Sequence, residues 1–182
     1  SEVKKPRVLV VVSDGNANLP DAVMSQLFAD QLGADAQFAV LPLNANYGKV
    51  QSAIDSNTQI GSAVSGQREL PDYFIRLVVP DVVEYEKPTN LAYKTQRHYK
   101  SWAFAELLAK NGQVLFARYA DEGLQDVVTN GIGIAAADRH EVVLKNVLVE
   151  LAEKFSKEVK FKHSTLEITD AENGQLWVDD TA

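Results

Sequence analysis

An unbroken run of β-branched and aliphatic residues near the amino end constrains the fold of this chain more than any other feature. The run, residues 8–12, reads VLVVV and is too short for a typical helix. A strand that is apolar at every position has both faces buried, which is typical of a sheet that lies between helices. The sequence therefore predicts a buried strand from Arg7 to Ser13 inside an α/β domain.

A helix is predicted directly after this strand. Apolar residues recur at helical spacing over residues 19–32, and Gly33 is a typical helix stop. Asn18 is the expected N-cap, because its side chain can accept a backbone hydrogen bond. Pro20 and Asp21 suit the first turn, where proline loses no hydrogen bond and a carboxylate faces the positive end of the helix dipole.

The middle of the chain predicts a short strand, a helix, a loop and then a strand. Residues 37–43 form an apolar run, residues 47–56 have a weak helical pattern, and residues 57–71 are polar with two glycines. Residues 73–79 alternate so that one face is strongly apolar, as in a strand with one well-buried face. Pro80 then places an edge or a bulge at the end of this strand, because proline cannot donate to a sheet.

A hairpin and a long helix complete the predicted core. Residues 103–110 and 113–119 flank an Asn-Gly pair, which is a strong signal for two antiparallel strands joined by a tight turn. A helix is predicted over residues 138–158, with an apolar stripe on one side and acidic and basic residues spaced four apart on the other. The members of the stripe are Leu144, Val147, Leu148, Leu151 and Phe155.

These elements predict one α/β domain over residues 1–162. In it, a mixed sheet of about five strands with an antiparallel meander is covered by helices. Residues 163–182 form a separate hairpin around a second Asn-Gly pair. A terminal hairpin cannot bury its apolar face alone, so it either returns to the main sheet or begins a truncated β module.

The composition excludes several function classes. The chain has no cysteine, which rules out disulfides, a thiolate nucleophile and cysteine-based metal sites. Its formal net charge of −7 disfavours nucleic acid as a partner, and no apolar run is long enough for a transmembrane helix. The three histidines are far apart in sequence, and His140 is expected on the solvated side of its helix. We therefore predict no catalytic, cofactor-binding or metal-binding residues.

Two loops leave a second function open. The loop over residues 13–18, SDGNAN, joins a strand to a helix, where phosphate groups often bind. It lacks the P-loop lysine, and local turn hydrogen bonds explain its composition equally well. The loop over residues 131–136, GIGIAA, matches the dinucleotide fingerprint without the strand-helix-strand context that the fingerprint needs. Either loop would make the chain a nucleotide- or small-ligand-binding domain.

One cluster of basic and aromatic residues is a candidate docking surface. It comprises Tyr85, Tyr93, Arg97, Tyr99 and Trp102, interleaved with lysines and a histidine. Tyrosine, tryptophan and arginine are enriched where proteins bind one another. The alternative is the outward face of a long strand, on which charges discourage association between sheet edges.

The order of elements and three stretches of sequence resemble a group of bacterial envelope domains. The stretches are PDYFIRLVVPDVV, AKNGQVLFARYADEG and VLKNVLVELAEKF. The pattern resembles the amino-terminal domain of TolB, the curli-assembly lipoprotein CsgG and the penicillin-binding-protein activator LpoB, and it spans about residues 6–162. The stretch TLEITDAENGQLWV resembles the opening of a small SH3-like module, as found after a TolB-like domain in the flagellar protein FlgT.

This resemblance implies a non-catalytic accessory or adaptor domain of a Gram-negative envelope lipoprotein. The domain would lie in the periplasm, or face it from the outer membrane through a lipid anchor upstream of this chain. Its partner would be another envelope protein or a second copy, and no enzyme activity, cofactor or nucleic acid is implied. A resemblance of this kind indicates a class of role rather than a partner.

Overall fold

The apolar run near the amino end forms a strand that is covered on both sides, as its composition predicts. The computed structural model of the chain describes residues 5–13, 16, 18–34, 38–42, 50–53, 56, 70–162, 165–170 and 174–179. In β1 (Arg7–Ser13), the side chains of residues 8–12 are at most 2% exposed. This strand lies inside the sheet, between two others.

The main sheet is mixed and has six strands, which confirms the predicted fold class. Besides β1, its strands are β2 (Ala39–Val40), β3 (Tyr73–Val78), β4 (Val83–Pro88), β5 (Lys94–Leu108) and β6 (Val114–Thr129). The strands β1, β2 and β3 are parallel, whereas β3, β4 and β6 each pair antiparallel with β5. The sheet order is β2-β1-β3-β5-β4, with β6 on the other side of β5.

Two strands lie end to end along one side of β5. β3 pairs with residues 104–108 of β5, and β4 pairs with residues 95–100. Residues 79–82 separate the two strands and include Pro80. The proline therefore marks an interruption of the sheet, as its missing N–H predicts.

The hairpin at Asn111 and Gly112 is confirmed, but its strands are much longer than predicted. The turn closes with Gly112 at a φ of 89°, and Leu108 pairs with Val114. After a register shift between Leu108 and Leu107, the pairing continues to Lys94 and Thr129. The sequence pattern stopped short because the far half of β5 is rich in charged residues, which the hydrophobic alternation does not count.

Two helices cover one face of the sheet, and a shorter helical segment covers part of the other. α1 (Asp21–Ala34) and α2 (Ala136–Glu158) pack together with β1, β3, β5 and β6 in the main core. The predicted stripe of α2 is confirmed, since all five of its residues are fully buried. The Phe155 ring packs edge-on against Phe28 and Phe116, with ring centroids 6.1 and 5.1 Å away.

A second, smaller cluster lies on the opposite face. Residues 50–53 are helical, which agrees with the predicted helix over the part that is described. Val50 packs with side chains of β1, β3 and β5. The buried members of the cluster are Leu9, Val11, Leu41, Val50, Phe74 and Leu108. The predicted loop over residues 57–71 lies almost entirely outside the described residues.

The predicted N-cap of α1 is wrong. The carbonyl of Pro20 accepts the first hydrogen bonds of the helix, from the N–H groups of Val23 and Met24 at 3.0 and 3.1 Å. The Oδ1 atom of Asn16 accepts from the N–H of Asn18 at 3.0 Å and shapes the turn before the helix. Asn18 therefore lies two residues before the N-cap at Pro20, and its side-chain amide nitrogen bonds to His140 of α2.

The carboxy end forms a separate three-stranded antiparallel sheet. Its strands are β7 (Val159–Lys162), β8 (Thr165–Asp170) and β9 (Gly174–Asp179), and β8 lies in the middle. β7 follows α2 directly, so the last residues of the predicted domain pair with the predicted hairpin. The domain boundary after residue 162, and the reading of residues 163–182 as a truncated module, stay predictions.

Candidate interaction surface

The two halves of the main sheet are covered differently. Around β1, β3 and the end of β5, helices pack on both faces. Around β4, β6 and the first part of β5, α2 packs on one face, and within the described residues the other face is open to solvent. A cross-strand ion pair between Arg76 and Glu106 lies at the border, with Nη2 and Oε1 2.5 Å apart.

The open face is lined by aromatic side chains. We call Tyr85, His98, Trp102, Phe104 and Tyr119 the aromatic face, because alternation along the paired strands places them on one side. The rings of Tyr85 and His98 stack with centroids 4.9 Å apart and planes 3° from parallel. Phe104 and Tyr119 pair across β5 and β6 at 6.1 Å and are 41% and 58% exposed. Trp102 lies between these two pairs along β5 and is half-buried.

Lysines lie next to this face. The Lys87 ammonium is 5.7 Å from the centroid of the Tyr85 ring, and the Lys154 ammonium is 5.5 Å from that of Tyr119. Lys154 also donates to the backbone carbonyl of Tyr119 at 2.9 Å. A cation over an aromatic ring is attracted to its negative face, and a lysine on an edge strand blocks further strand pairing. The surface is therefore an aromatic patch with a cationic margin.

The structure divides the docking surface that the sequence predicted. Tyr85 and Trp102 lie on the aromatic face, and Tyr93 is 52% exposed in the turn before β5. Arg97 and Tyr99 lie on the opposite face, and Tyr99 is 1% exposed, so it is not part of an exposed surface. The division follows from the two-residue period of a strand, since 97 and 99 share one parity and 102 has the other.

Sequence reasoning missed the two most exposed members of the aromatic face. The sequence pattern predicts Phe104 only as part of the apolar run of the hairpin and Tyr119 only as a strand end. The alternative interpretation of the charges also needs correction. β5 is paired on both sides, so its charged residues do not protect a sheet edge. A signal was available in the small residues Ser101, Ala103 and Ala105, which alternate with large ones and lie under the helix.

Arg97 belongs to a polar cluster at the amino end of α2. Its guanidinium donates to Glu86 at 2.9 Å and lies 3.5 Å from Glu84. The hydrogen bond to Glu86, followed by the nearby Tyr99 hydroxyl, raises the pKa of Arg97, so the side chain stays charged. A second arginine of the cluster, Arg139 of α2, bonds to Asp126 of β6 at 2.8 Å.

His140 is not on a solvated side of its helix, contrary to the prediction. Its side chain is 16% exposed and joins three elements. The Nδ1 atom lies 2.8 Å from the Asn18 amide nitrogen before α1, and Nε2 lies 3.0 Å from Glu84 of β4. The Tyr99 ring meets the imidazole edge-on at 5.4 Å. A carboxylate can only accept, so a neutral imidazole protonated on Nε2 satisfies both partners. The cluster therefore ties β4 to both helices.

The first candidate phosphate loop has features that oppose an anion. Asn16 Oδ1 already accepts from the N–H groups of Asn18 and Leu19, at 3.0 and 3.2 Å. Pro20 has no N–H, and the Asp21 carboxylate lies in the first turn of α1. A phosphate would need free N–H donors and no negative charge there. The other three residues of this loop lie outside the described residues.

The second candidate loop is a tight turn between an antiparallel strand and a helix. Thr129 and Ile132 exchange backbone hydrogen bonds at 3.1 and 2.9 Å, and Gly131 has a φ of 74°. Gly133 lies against Val128, where a Cβ would be 3.2 Å from a methyl carbon. The glycines thus serve the turn and its packing. A dinucleotide fingerprint would follow a strand that is parallel to its neighbour, which β6 is not.

A groove of about 430 Å³ lies between α1 and the edge strand β2. Ser25 in its wall donates to the Val10 carbonyl at 3.0 Å, and Gln26 donates to Asp30 at 2.6 Å. These polar groups bond to the protein itself and do not converge on the groove, as an active site requires. The residues that the structure describes contain no group of three metal-ligating side chains. Among the described residues, no helix is both long enough and apolar enough to cross a membrane.

Comparisons with known proteins find likeness only at the level of structure. No protein-family model matches the chain, and no curated protein matches it. The hypothetical protein CT253 from Chlamydia trachomatis is 10% identical with a TM-score of 0.47, over 82% of this chain and 96% of that protein. A minor lipoprotein from Acinetobacter baumannii is 7% identical with a TM-score of 0.45, over 86% and 92%. PelC from Paraburkholderia phytofirmans, a dodecamer, is 16% identical with a TM-score of 0.37, over 81% and 87%.

Bacterial lipoproteins are therefore among the solved structures that the chain resembles. Membership of the group around TolB, CsgG and LpoB stays a prediction.

Proposed function

We propose that this chain is a non-catalytic accessory domain of a bacterial envelope lipoprotein, and that it acts through protein–protein contacts made by the aromatic face. The resemblance of the sequence to envelope domains supports the setting, which is the periplasm or the periplasmic side of the outer membrane. The observation that carries the proposal is the half of the sheet that the described residues leave uncovered and that aromatic rings line.

The aromatic face has the chemistry of a protein interface. Phe104 and Tyr119 expose large apolar rings, and the half-buried Trp102 lies beside them. Aromatic side chains bury much apolar area for few rotatable bonds, and a few of them carry most of the energy of a typical interface. The strands hold the rings in place, so little conformational entropy is lost when a partner binds.

The test compares two purified variants with the wild-type domain in capture experiments from envelope extracts of the source bacterium. Phe104→Ser/Tyr119→Ser removes both exposed rings, whereas Val114→Ser changes a residue that is 47% exposed at the far end of the hairpin. We expect the wild type and the V114S variant to retain the same protein, identified by mass spectrometry, and the double variant to lose it. Binding is then measured with the purified partner, where we expect a loss of about tenfold or more. Equal binding by all three proteins would contradict the proposal.

The nucleotide-binding alternative is tested separately by thermal denaturation with a panel of nucleotides. A ligand that binds only the folded state raises the melting temperature, and the rise grows with the logarithm of the ligand concentration relative to its Kd. We expect no shift, because the Asn16 side chain occupies the turn before α1 and the Asp21 carboxylate lies in the first turn of the helix. A concentration-dependent rise with any nucleotide would favour the alternative.

A further inference from the structure

A second apolar surface lies at one end of the molecule, away from the aromatic face. It is formed by the turn before β5 and the loop between β6 and α2. Leu91, Tyr93, Ile132 and Ile134, which we call the apolar tip, are 45%, 52%, 78% and 52% exposed. Large apolar side chains gathered at two adjacent turns usually mark a contact with another body.

The two turns are joined and held by hydrogen bonds. The N–H of Asn130 donates to the Tyr93 carbonyl at 2.8 Å and links the two turns. Thr89 holds the first turn, since its hydroxyl lies 3.1 Å from the N–H of Leu91 and 2.8 Å from the Lys94 carbonyl. In the second turn, Asn130 has a φ of 52°, which presents Ile132 to solvent. The tip is therefore a structured surface with its apolar side chains held outward.

Several backbone groups of the tip are hydrogen-bonded within the protein. The N–H and carbonyl of Leu91 are both bonded within the first turn. The carbonyl of Tyr93 and both backbone groups of Ile132 are also bonded. A lipid interior cannot supply hydrogen bonds, so backbone that enters it must be satisfied internally. A protein groove makes no such demand. These bonds lower the cost of bringing the two turns close to lipid.

The side chains agree with a bilayer interface. Tyrosine concentrates at the level of lipid headgroups, and lysines at the same level extend their ammonium groups towards the headgroups. The Lys94 ammonium lies 5.8 Å from the centroid of the Tyr93 ring. Lys87 lies nearby on β4, where it pairs with Gln96, two residues after Lys94. The acidic residues Glu86 and Asp126 near this end are each paired with an arginine.

We propose that the apolar tip inserts into the headgroup region of a lipid bilayer and makes the domain a peripheral membrane-binding module. Ile132 and Ile134 enter deepest, Leu91 and Tyr93 lie at the interface, and the two lysines meet the phosphates. The proposal goes beyond the proposed function, which concerns the aromatic face and a protein partner.

The test is co-sedimentation with vesicles of phosphatidylcholine, and with vesicles of equal parts phosphatidylcholine and phosphatidylglycerol. We expect the wild-type chain to bind both and to prefer the anionic vesicles. Ile132→Ser/Ile134→Ser adds no charge, and at exposed positions it leaves the fold intact; it should lower the partition constant about tenfold or more. Val114→Ser, at the opposite end of the same hairpin, is the matched control and should bind like the wild type.

A second measurement follows the depth of the tip. The chain has no cysteine, so Leu91→Cys, Ile134→Cys and Val114→Cys each provide a single labelling position for an environment-sensitive dye. On adding vesicles, we expect the emission to rise and shift to the blue at the first two positions and to stay unchanged at the third. Failure of the wild type to bind either kind of vesicle would overturn the proposal, as would undiminished binding by I132S/I134S. The Phe104→Ser/Tyr119→Ser variant should bind vesicles normally, which separates this result from the proposed function.

Discussion

The two halves of the main sheet differ in what covers them. In the half around β1 and β3, buried side chains line both faces, and Phe74 lies in the cluster opposite the helices. In the half around β4 and β6, Phe104 points to the same side as Phe74 but is 41% exposed. The ion pair of Arg76 and Glu106 lies between these phenylalanines. One sheet thus combines a region buried on both faces with a region whose side chains on one face are exposed to solvent.

This difference shows how a small domain can keep part of its sheet exposed on one face. α2 supplies the core on one side, and the long β5–β6 hairpin extends beyond the other covering helices. The extension is stabilised by strand pairing and by the polar cluster around His140 rather than by a second apolar layer. The side chains on its open face are therefore not required for packing in the core, which leaves them available for the contact that we propose.

The largest test of the comparison substitutes one phenylalanine in each half. Phe74→Ala removes a fully buried ring and should lower the free energy of unfolding by about 3 to 5 kcal/mol. Phe104→Ala on the same face should cost less than about 1 kcal/mol, because its ring is exposed. Urea unfolding followed by circular dichroism measures both. Equal losses would mean that the open face is covered in solution.

A second test asks whether the polar cluster holds the extension. His140→Ala removes the hydrogen-bonding partner of Asn18 and Glu84 and should cost about 1 to 3 kcal/mol. His98→Ala, on the aromatic face, is the matched change and should cost less than about 1 kcal/mol. The two variants are compared by urea unfolding at neutral pH. A larger loss for H98A would show that the aromatic face carries the stability of this half.

The border between the halves is tested by Glu106→Gln. This residue and Arg76 are both about one quarter exposed, so solvent and salt weaken their attraction. We expect a loss of about 0.5 to 1 kcal/mol in the free energy of unfolding, which shrinks as salt is added. Unfolding curves at low and high ionic strength measure it. A loss independent of salt would indicate a packing role instead.

The smallest expected effect concerns Glu122, which faces Glu150 of α2. Its hydrogen bond to Glu150, together with burial and the neighbouring charges, raises the pKa of Glu122. A carboxyl whose pKa is raised on folding stabilises the protein at low pH, and this contribution is lost as the pH rises through the folded pKa. Glu122→Gln cannot ionise, so it should raise the melting temperature at neutral pH and leave it unchanged below about pH 4. A rise that is equal at both pH values would contradict this origin.

Much of the fold could be predicted because periodicity and turn chemistry are local. The buried strand β1, the stripe of α2 and the Asn-Gly turn all follow from spacing within a few residues. The far half of β5 could not be predicted, because its charged residues are stabilised by partners on other elements. Arg97 bonds to Glu86 of β4, and the adjacent β6 residue Asp126 bonds to α2. The predicted N-cap of α1 failed because the first helical hydrogen bonds are accepted by Pro20, two residues after Asn18.

The candidate surface was predicted in composition but not in arrangement. The sequence placed tyrosines, a tryptophan and an arginine together, and strand alternation then sent Trp102 to solvent and Tyr99 into the core. Counting parity along one strand separates the two sets but does not say which set is buried. That choice depends on where α2 packs, and α2 follows more than twenty residues later in the chain.

The sequence by itself determined the class of the domain, its apolar core and its main turn, because hydrophobic period and backbone preference act over short distances. Only the tertiary structure decided which half of the sheet the described residues leave open, which of their aromatic rings face solvent and how two turns form the apolar tip. These features depend on contacts between residues that are distant in the chain. Burial and exposure are properties of the whole assembly of elements, and no local pattern contains them.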